Sequence, residues 1–566
     1  MRKVLLAYRC SAEGEANPFE RILPVGLGYV HAYLRSRGIP SVLANFSAMP
    51  RPRILRILLD ERPDVVGLST FTFNRRSTLS LARLVRRTLP AAKIVLGGPH
   101  PTHVGAPLLA EHPEVDACVV GEGEVTFERY VRSLEGGSDQ AAVRGLVLRT
   151  PSGIRATGGA EPVTDLDTLP FPALYPEGHG VDPRTQYPYI VTSRGCPAKC
   201  TFCSSPEFWG SRVRFRSAAN ILEELELLRR RFGILYVSFR DDVFTLNKKR
   251  VIDLCRGMID RRLTLLWDCQ TRVNTLDEER LVWMKRAGAM ILQLGVESGS
   301  QEMLDRMRKG QTVEQIERAS ALTRRVGLVL SIYLIAGVPG ETKTHLRETE
   351  ALIRRIRPHD GIVAPLAVFP GTSLWEEYRR ARDADASLWD QVGHDGLFTR
   401  PERFTEEAIL RLSTMLERSG RANRYTGKDY AAHREVAGEC YATDLMEGEQ
   451  CEFAGRLAAA RRIYERLAAR EPWNPWPLLR LGRMALASGD AAAAERLFAE
   501  VATQVPEFAD ARILRARALR ALGREDEAGV LLSIPPGSAT GAARRKRRRG
   551  FQSYPPPRDG GSDAAF

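Results

Sequence analysis

Ser193-Arg194-Gly195-Cys196-Pro197-Ala198-Lys199-Cys200-Thr201-Phe202-Cys203 is the stretch on which the reading of this chain turns. Its cysteines stand as C-x3-C-x2-C, directly after a short apolar run, Tyr189 to Thr192, that reads as a strand. Thiolates this close on one loop wrap a soft metal far better than a hard ion. Three of them suit a cluster of four irons with one iron left open, and an open iron can take a substrate or a cofactor. The rivals are a structural zinc knuckle with its fourth ligand elsewhere and three unrelated buried cysteines. Zinc sites usually show a second ligand pair at fixed spacing, and none follows here.

Downstream of this loop, strands are expected at Tyr236–Phe239, Leu265–Gln270, Ile291–Val296, Leu328–Ala336 and Ile362–Val368, each followed by a helix or loop. With Tyr189–Thr192 they make six, a partial α/β barrel over residues 186–400 whose functional residues belong at strand C-termini. Upstream, residues 1–135 alternate runs such as Lys3 to Tyr8 and Val65 to Ser69 with helical patterns. That alternation predicts a doubly wound, Rossmann-like parallel sheet, which binds ligands at the carboxyl ends of its strands. Two loops there are rich in Gly and Pro: Gly97-Gly98-Pro99-His100-Pro101-Thr102 and Gly121-Glu122-Gly123-Glu124. Residues 136–185 read as a linker with a short hairpin-like piece and the Pro-rich passage Leu169-Pro170-Phe171-Pro172.

A helical connector is expected over 401–437. From 438 to 536 a 34-residue repeat appears: Gly455, Gly489 and Gly523 are in register, as are Ala460, Ala494 and Ala528, then Tyr464, Phe498 and Leu532. The spacing resembles the tetratricopeptide repeat, an all-α helix-turn-helix unit. Such repeats bind partners and stack on their neighbours, so a chain cut after about residue 437 is expected to keep the preceding domains intact. Residues 537–566 form a basic tail, expected to be disordered.

The 566 residues, 43% hydrophobic and 27% charged, exclude a mainly disordered or collagen-like chain. Of the +14 net charge, six come from Arg544, Arg545, Lys546, Arg547, Arg548 and Arg549, so little field remains to steer an acidic polymer and nucleic acid is not the expected partner. The apolar start is too short for a signal peptide, and the longest apolar stretch, Leu328 to Val338, is far below the roughly 18 residues of a membrane span. A cytoplasmic protein is expected. Cys255, Cys269, Cys440 and Cys451 sit singly in apolar or helical contexts, where buried packing is their role.

The cysteine spacing, with an aromatic residue before the third Cys at the top of a first barrel strand, resembles the radical S-adenosylmethionine (SAM) superfamily. The resemblance implies a 4Fe-4S cluster on Cys196, Cys200 and Cys203 whose open iron chelates SAM, which on reduction gives a 5′-deoxyadenosyl radical. It implies cofactor contacts for Phe202, and for Asp241 or Asp242 near the SAM ammonium, where many members carry Gly-Gly-Glu instead; N-capping of the next helix is the plainer role for either. Glu297 in Gly295-Val296-Glu297-Ser298-Gly299 would meet the SAM ribose, and Gly337 in Ala336-Gly337-Val338-Pro339 would let backbone approach the adenine. Gln270 and Arg272 would face the cavity, with surface solvation the alternative for Arg272.

A doubly wound domain directly ahead of such a barrel resembles the cobalamin-binding class of that superfamily, over about residues 1 to 400. Gly97, Gly98 and Thr102 would then lie along the pocket for the cobalamin tail, with Gly121 and Gly123 in the next loop. Many cobalamin domains carry Asp-x-His-x-x-Gly after the first strand; here Arg9-Cys10-Ser11-Ala12-Glu13-Gly14 has no His. Either cobalt lacks a protein imidazole or the domain has lost cobalamin. The leading expectation is a cobalamin-dependent enzyme methylating an unactivated carbon of a small molecule or peptide, fed electrons by a flavodoxin or ferredoxin. A non-methylating cyclase or rearrangement enzyme, as in anaerobic bacteriochlorophyll synthesis, a docking protein built on the repeats, and a methylthiolating nucleic-acid enzyme are the alternatives, the last ranked low.

Overall fold

Apolar runs buried on both faces, such as Val4-Leu5-Leu6-Ala7-Tyr8, build the first sheet, as parallel strands covered by helices require. The computed structural model describes residues 2–11, 22–136, 139–382, 397–398 and 403–533. Its strands are β1 (Val4–Tyr8), β2 (Ser41–Asn45), β3 (Val65–Ser69), β4 (Lys93–Gly97), β5 (Ala117–Val119), β6 (Leu146–Thr150), β7 (Gly153–Ala156) and β8 (Gly178–His179). They run in the order β7-β6-β5-β4-β3-β1-β2-β8, with β6 and β7 antiparallel. The chain leaves β1 toward β2 on one side and returns to β3 on the other, which opens a crevice at the carboxyl ends of β1 and β3.

Two expectations change here. The stretch 136–185 is no mere linker, because it supplies β6, β7 and β8 to the same sheet. The Gly- and Pro-rich segments are short junctions: helices begin at Pro99 and Gly123, and proline suits the first turn, where its missing N–H would have no partner.

The second sheet is parallel and sequential: β9 (Tyr189–Ile190), β12 (Tyr236–Phe239), β13 (Leu266–Thr271), β14 (Ala289–Glu297), β15 (Val329–Ala336) and β16 (Asp360–Pro365). Between β9 and β12 a small antiparallel ribbon, β10 (Ser193–Arg194) and β11 (Arg214–Phe215), brackets the cysteine loop. Among the described residues β9 and β16 remain edges, so the barrel is partial, as expected. The last strand is shorter than the expected Ile362–Val368. It ends at Pro365, which has no N–H to give the ladder, and Ala367–Val368 pairs elsewhere.

Helices Arg403–Ala422 and Gly427–Ala437 lead into three helix pairs: Tyr441–Phe453 with Leu457–Arg470, Pro475–Ala487 with Ala491–Gln504, and Ala509–Ala521 with Glu525–Ser533. Ala460, Ala494 and Ala528 are fully buried where paired helices touch. A Cβ at Gly448 or Gly482, again 34 residues apart, would lie 2.3 or 2.6 Å from the ring of Tyr464 or Phe498. The repeat is therefore a packing period: a missing side chain on one helix receives an aromatic ring from the next.

These helices do not stand apart from the barrel. Leu266, Met290 and Val329, at the amino ends of their strands, share one apolar cluster with Tyr425, Tyr430, Tyr441, Leu445 and Met446. Tyr441 donates to the carbonyl of Leu265 at 2.6 Å, and Trp476 Nε1 to that of Thr264 at 2.8 Å. The repeat helices therefore pack on the barrel as well as on one another, a contact that the expectation of an independent module did not include. No described helix is long and apolar enough to cross a membrane. The expected basic tail, 537–566, lies outside the described residues, as do Ala12, Glu13 and Gly14.

Candidate active site

The cysteine loop is held from three sides. Thr201 N–H donates to Met307 O at 3.0 Å and Thr201 O accepts from Leu374 N–H at 2.9 Å. Gly195 opens the loop at φ +103°, and a Cβ there would lie 2.8 Å from Arg212 O. Cys196 is buried, Cys200 and Cys203 partly so. Burial pushes the Cys196 thiol up and the Cys203 thiol to about 11. No three His, Cys, Asp or Glu side chains among the described residues converge tightly enough for a single metal ion. A four-iron cluster spaces its thiolates more widely, and this all-thiol donor set on one loop fits it.

From Cys200 a chain of contacts crosses the site. Arg272 Nη1 donates to Cys200 Sγ at 3.5 Å, and its Nη2 donates to the carbonyl of Lys309. Lys309 Nζ is paired with Glu297 Oε1, both side chains being under 10% exposed, and it lies 6.0 Å from the Phe202 ring. Glu297 itself sits at φ +64° on an irregularity that ends β14. Arg272, Phe202 and Glu297 thus come together with the cysteines, and Arg272 is buried, not solvated. Lys309 was not found from sequence; its only local signal is its place beside Gly310, in the turn after helix Gln301–Arg306.

The two aspartates separate. Asp241 accepts from Thr192 N–H at 2.5 Å, from Ser193 N–H at 3.1 Å and from the Thr192 hydroxyl, with Arg250 at 3.5 Å, so it ties down the start of the cysteine loop. Asp242 accepts a hydrogen bond from Ser205, is exposed, and lies near enough to the cysteines for its charge to raise the thiols of Cys196 and Cys203. Neither caps the next helix, whose N-cap is Asn247. Gln270 faces the interior of the barrel sheet opposite Gln293.

A cavity of about 230 Å³ lies beside the loop, lined by Thr201, Met307, Val338, Pro339, Leu366 and Leu374 among others. Val338 and Pro339 reach it, whereas the free side of Gly337 is filled by Thr405, 2.8 Å from where a Cβ would be.

In the first domain, Gly98 takes φ +108° with Thr70 O 2.7 Å from where a Cβ would be. The Thr102 hydroxyl donates to Gly98 O at 2.8 Å and accepts from Gly121 N–H at 3.0 Å, so it staples two strand-end loops together. Gly123 packs against Val30. His100 is buried against Thr72, and the His103 ring packs on Gly371 of the barrel with its Nε2 buried and without a hydrogen-bond partner among the described residues.

The acidic residues of Gly121-Glu122-Gly123-Glu124 turn toward the barrel. Arg194 Nη1 meets Glu122 at 2.6 Å and its Nη2 meets Glu124 at 2.5 Å, while Arg214 meets Glu122 at 2.5 Å; no side chain of the four is more than 9% exposed. A buried, doubly paired guanidinium two residues before Cys196 fixes the cysteine loop to the loop after β5. The Gly-rich spacing hid this, since the charged partners are some 70 residues apart in sequence.

Comparison with known proteins agrees with this arrangement. Residues 190–353 match the Radical SAM superfamily, residues 16–131 the B12 binding domain and residues 485–544 the Tetratricopeptide repeat. The chain is 32% identical to an uncharacterised methyltransferase of Pyrococcus horikoshii over 69% of its own length and 85% of that protein's. It is 30% identical to the anaerobic magnesium-protoporphyrin IX monomethyl ester cyclase of Rubrivivax gelatinosus over 62% of its length and 66% of the cyclase. Its fold is similar to that of the radical SAM methyltransferase TsrM from Kitasatospora setae, whose structure holds cobalamin and a [4Fe-4S] cluster, with a TM-score of 0.58 at 21% identity over 67% of this chain and 75% of that one.

Proposed function

Because the chain belongs to the cobalamin-binding class of the radical SAM superfamily, we propose that it is a methyltransferase acting on an unactivated carbon of a small-molecule or peptide substrate. When bound, the 4Fe-4S cluster supplies an electron for cleavage of SAM to a 5′-deoxyadenosyl radical, and cobalamin supplies methyl-carrying capacity. The protein's part is placement. Cys196, Cys200 and Cys203 hold the cluster, and Asp242, with its open side, receives the SAM ammonium, while Asp241 positions the loop. Glu297 accepts from the ribose hydroxyls and is oriented by Lys309, and the cavity at Val338 and Pro339 takes the adenine. Gln270 and Arg272 face the reaction chamber. Gly98, Thr102, Gly121 and Gly123 shape the cobalamin pocket at the strand ends, Thr102 by joining two loops. A flavodoxin or ferredoxin in the cytoplasm serves as reductant. We divide the chain at about residue 185, where the first sheet is complete.

The observation that carries this reading is the C-x3-C-x2-C loop pinned by buried ion pairs to the glycine loops of a B12-type domain. The cyclase relative favours a second reading, ring formation without methyl transfer. Iron, sulfide and cobalamin measured on anaerobically reconstituted protein test the cofactor set. Each of Cys196→Ala, Cys200→Ala and Cys203→Ala is expected to abolish 5′-deoxyadenosine formation, because two thiolates do not hold the cluster. Full production by any of them refutes the assignment. A label carried from the SAM methyl group into product separates methylation from cyclisation.

A further inference from the structure

The inner face of the second sheet is polar, while the alternate residues Val237, Phe239 and Leu292 pack on helices. Tyr236 and Ser238 donate to the two oxygens of Asp268 at 2.9 and 2.6 Å. Gln293 Oε1 accepts from the Tyr333 hydroxyl at 2.9 Å and from Arg240 Nη1 at 3.4 Å, and the Arg240 guanidinium lies 5.2 Å from the centre of the Tyr189 ring. Among the described residues no carboxylate lies within ion-pair distance of Arg240. Neighbouring arginines are treated differently: Arg194 and Arg214 pair with Glu122, Arg216 with Glu224, and Arg250 with Asp241.

A guanidinium in a partly enclosed chamber is costly unless an anion or a full set of acceptors meets it. Arg240 has a long hydrogen bond to an amide oxygen and a contact with the Tyr333 hydroxyl, and no ion-pair partner among the described residues. Asp268, on the same face, is engaged by Tyr236 and Ser238, and burial raises its carboxyl above the ordinary range although the charge of Arg240 pulls it down. Gln270, paired in register with Gln293, adds an amide donor to the same wall. The fork of a guanidinium matches a carboxylate or a phosphoryl group in two parallel hydrogen bonds.

We infer that Arg240, with Gln270 and Gln293 beside it, binds an oxyanion of the substrate, a carboxylate or a phosphoryl group, so that the substrate is an anionic molecule whose carbon skeleton extends toward the cysteine loop. This rests on the reading of the barrel interior as the reaction chamber. The test uses holoenzyme shown beforehand to contain its cluster and cobalamin and to form 5′-deoxyadenosine. Benzoate, phenylphosphonate and the neutral isostere benzamide are titrated by calorimetry into wild type, Arg240→Lys and Arg240→Met.

The anions are expected to bind wild type at least ten-fold more tightly than benzamide. Arg240→Met is expected to lose that preference and Arg240→Lys to keep part of it. Whichever anion binds more tightly identifies carboxylate or phosphoryl as the group recognised. Equal binding of anions and benzamide overturns the inference, as does undiminished anion binding by Arg240→Met. Displacement of the anions by SAM overturns it too, since Arg240 would then serve the SAM carboxylate. If Arg240→Met does not fold, Gln293→Leu is expected to weaken anion binding about three-fold, and no change there overturns the inference. A wild-type protein without cluster or SAM cleavage refutes the functional reading instead.

Discussion

Lys309 and Glu297 form a buried pair at the point where the SAM ribose would lie, and a buried pair broken on one side leaves an uncompensated charge. That loss is about 3–5 kcal/mol. Lys309→Met is therefore expected to raise the KM for SAM in 5′-deoxyadenosine formation at least ten-fold, and adding Glu297→Gln is expected to return part of it. A double-mutant cycle showing independent effects would remove Lys309 from its orienting role. Buried histidines set a pH dependence, His359 and His103 being lowered by burial as well. Burial, aided by the charge of Arg35, lowers His31 to about 4, and burial, aided by Lys285, lowers His433 to about 4. The unfolded chain takes up these protons near 6.5, so between the two values it binds more protons than the folded chain. Stability is whole above 6.5 and falls as pH drops toward 4, by on the order of 3 kcal/mol for each of His31 and His433. Thermal unfolding across that window is expected to show the decline, and His433→Phe, which keeps the ring against Gly327, is expected to shrink it.

Among the elements, the helix pairs offer the sharpest test. A side chain at Gly482 enters the ring of Phe498, and such overpacking costs about 1–3 kcal/mol. Gly482→Val should speed proteolysis of the helices beyond residue 474, whereas Gly489→Ala, with open space around its Cβ, should disturb packing less and act only through its backbone φ of +88°. Equal effects would deny that the 34-residue period is a packing period. Strands with unbroken β-rich runs, β3 and β12 among them, were legible in the sequence, and so was the cysteine loop, because both signals are local. Ser41–Asn45 was not, being polar at both ends, and although the hairpin-like piece expected within 136–185 is β6 with β7, its place in the first sheet and the strand β8 were not, because they depend on partners far along the chain. Glu122, Glu124 and Lys309 escaped for the same reason. Asp241 was legible as important, yet only the fold distinguishes a residue that anchors a loop from one that faces a ligand.

For the whole molecule, the repeat helices cover the amino end of the barrel, so removing them exposes Leu266, Met290 and Val329. A chain ending at residue 437 is expected to be insoluble or to lose cluster loading, as read by its absorbance and iron content, whereas one ending at 508, which keeps Val505 and Phe508 against the barrel and loses the last pair, should keep both. A soluble, cluster-loaded 437 fragment would show the helices to be dispensable to the barrel. That cover has a consequence for traffic. With Tyr425, Tyr441 and Met446 packed against the amino ends of the barrel strands and the Arg194 ion pairs tying the first domain to the cysteine loop, the described residues close the chamber from below. Among the described residues, traffic is then left to the carboxyl ends of the strands, where the cysteine loop stands, and to the open edges at β9 and β16.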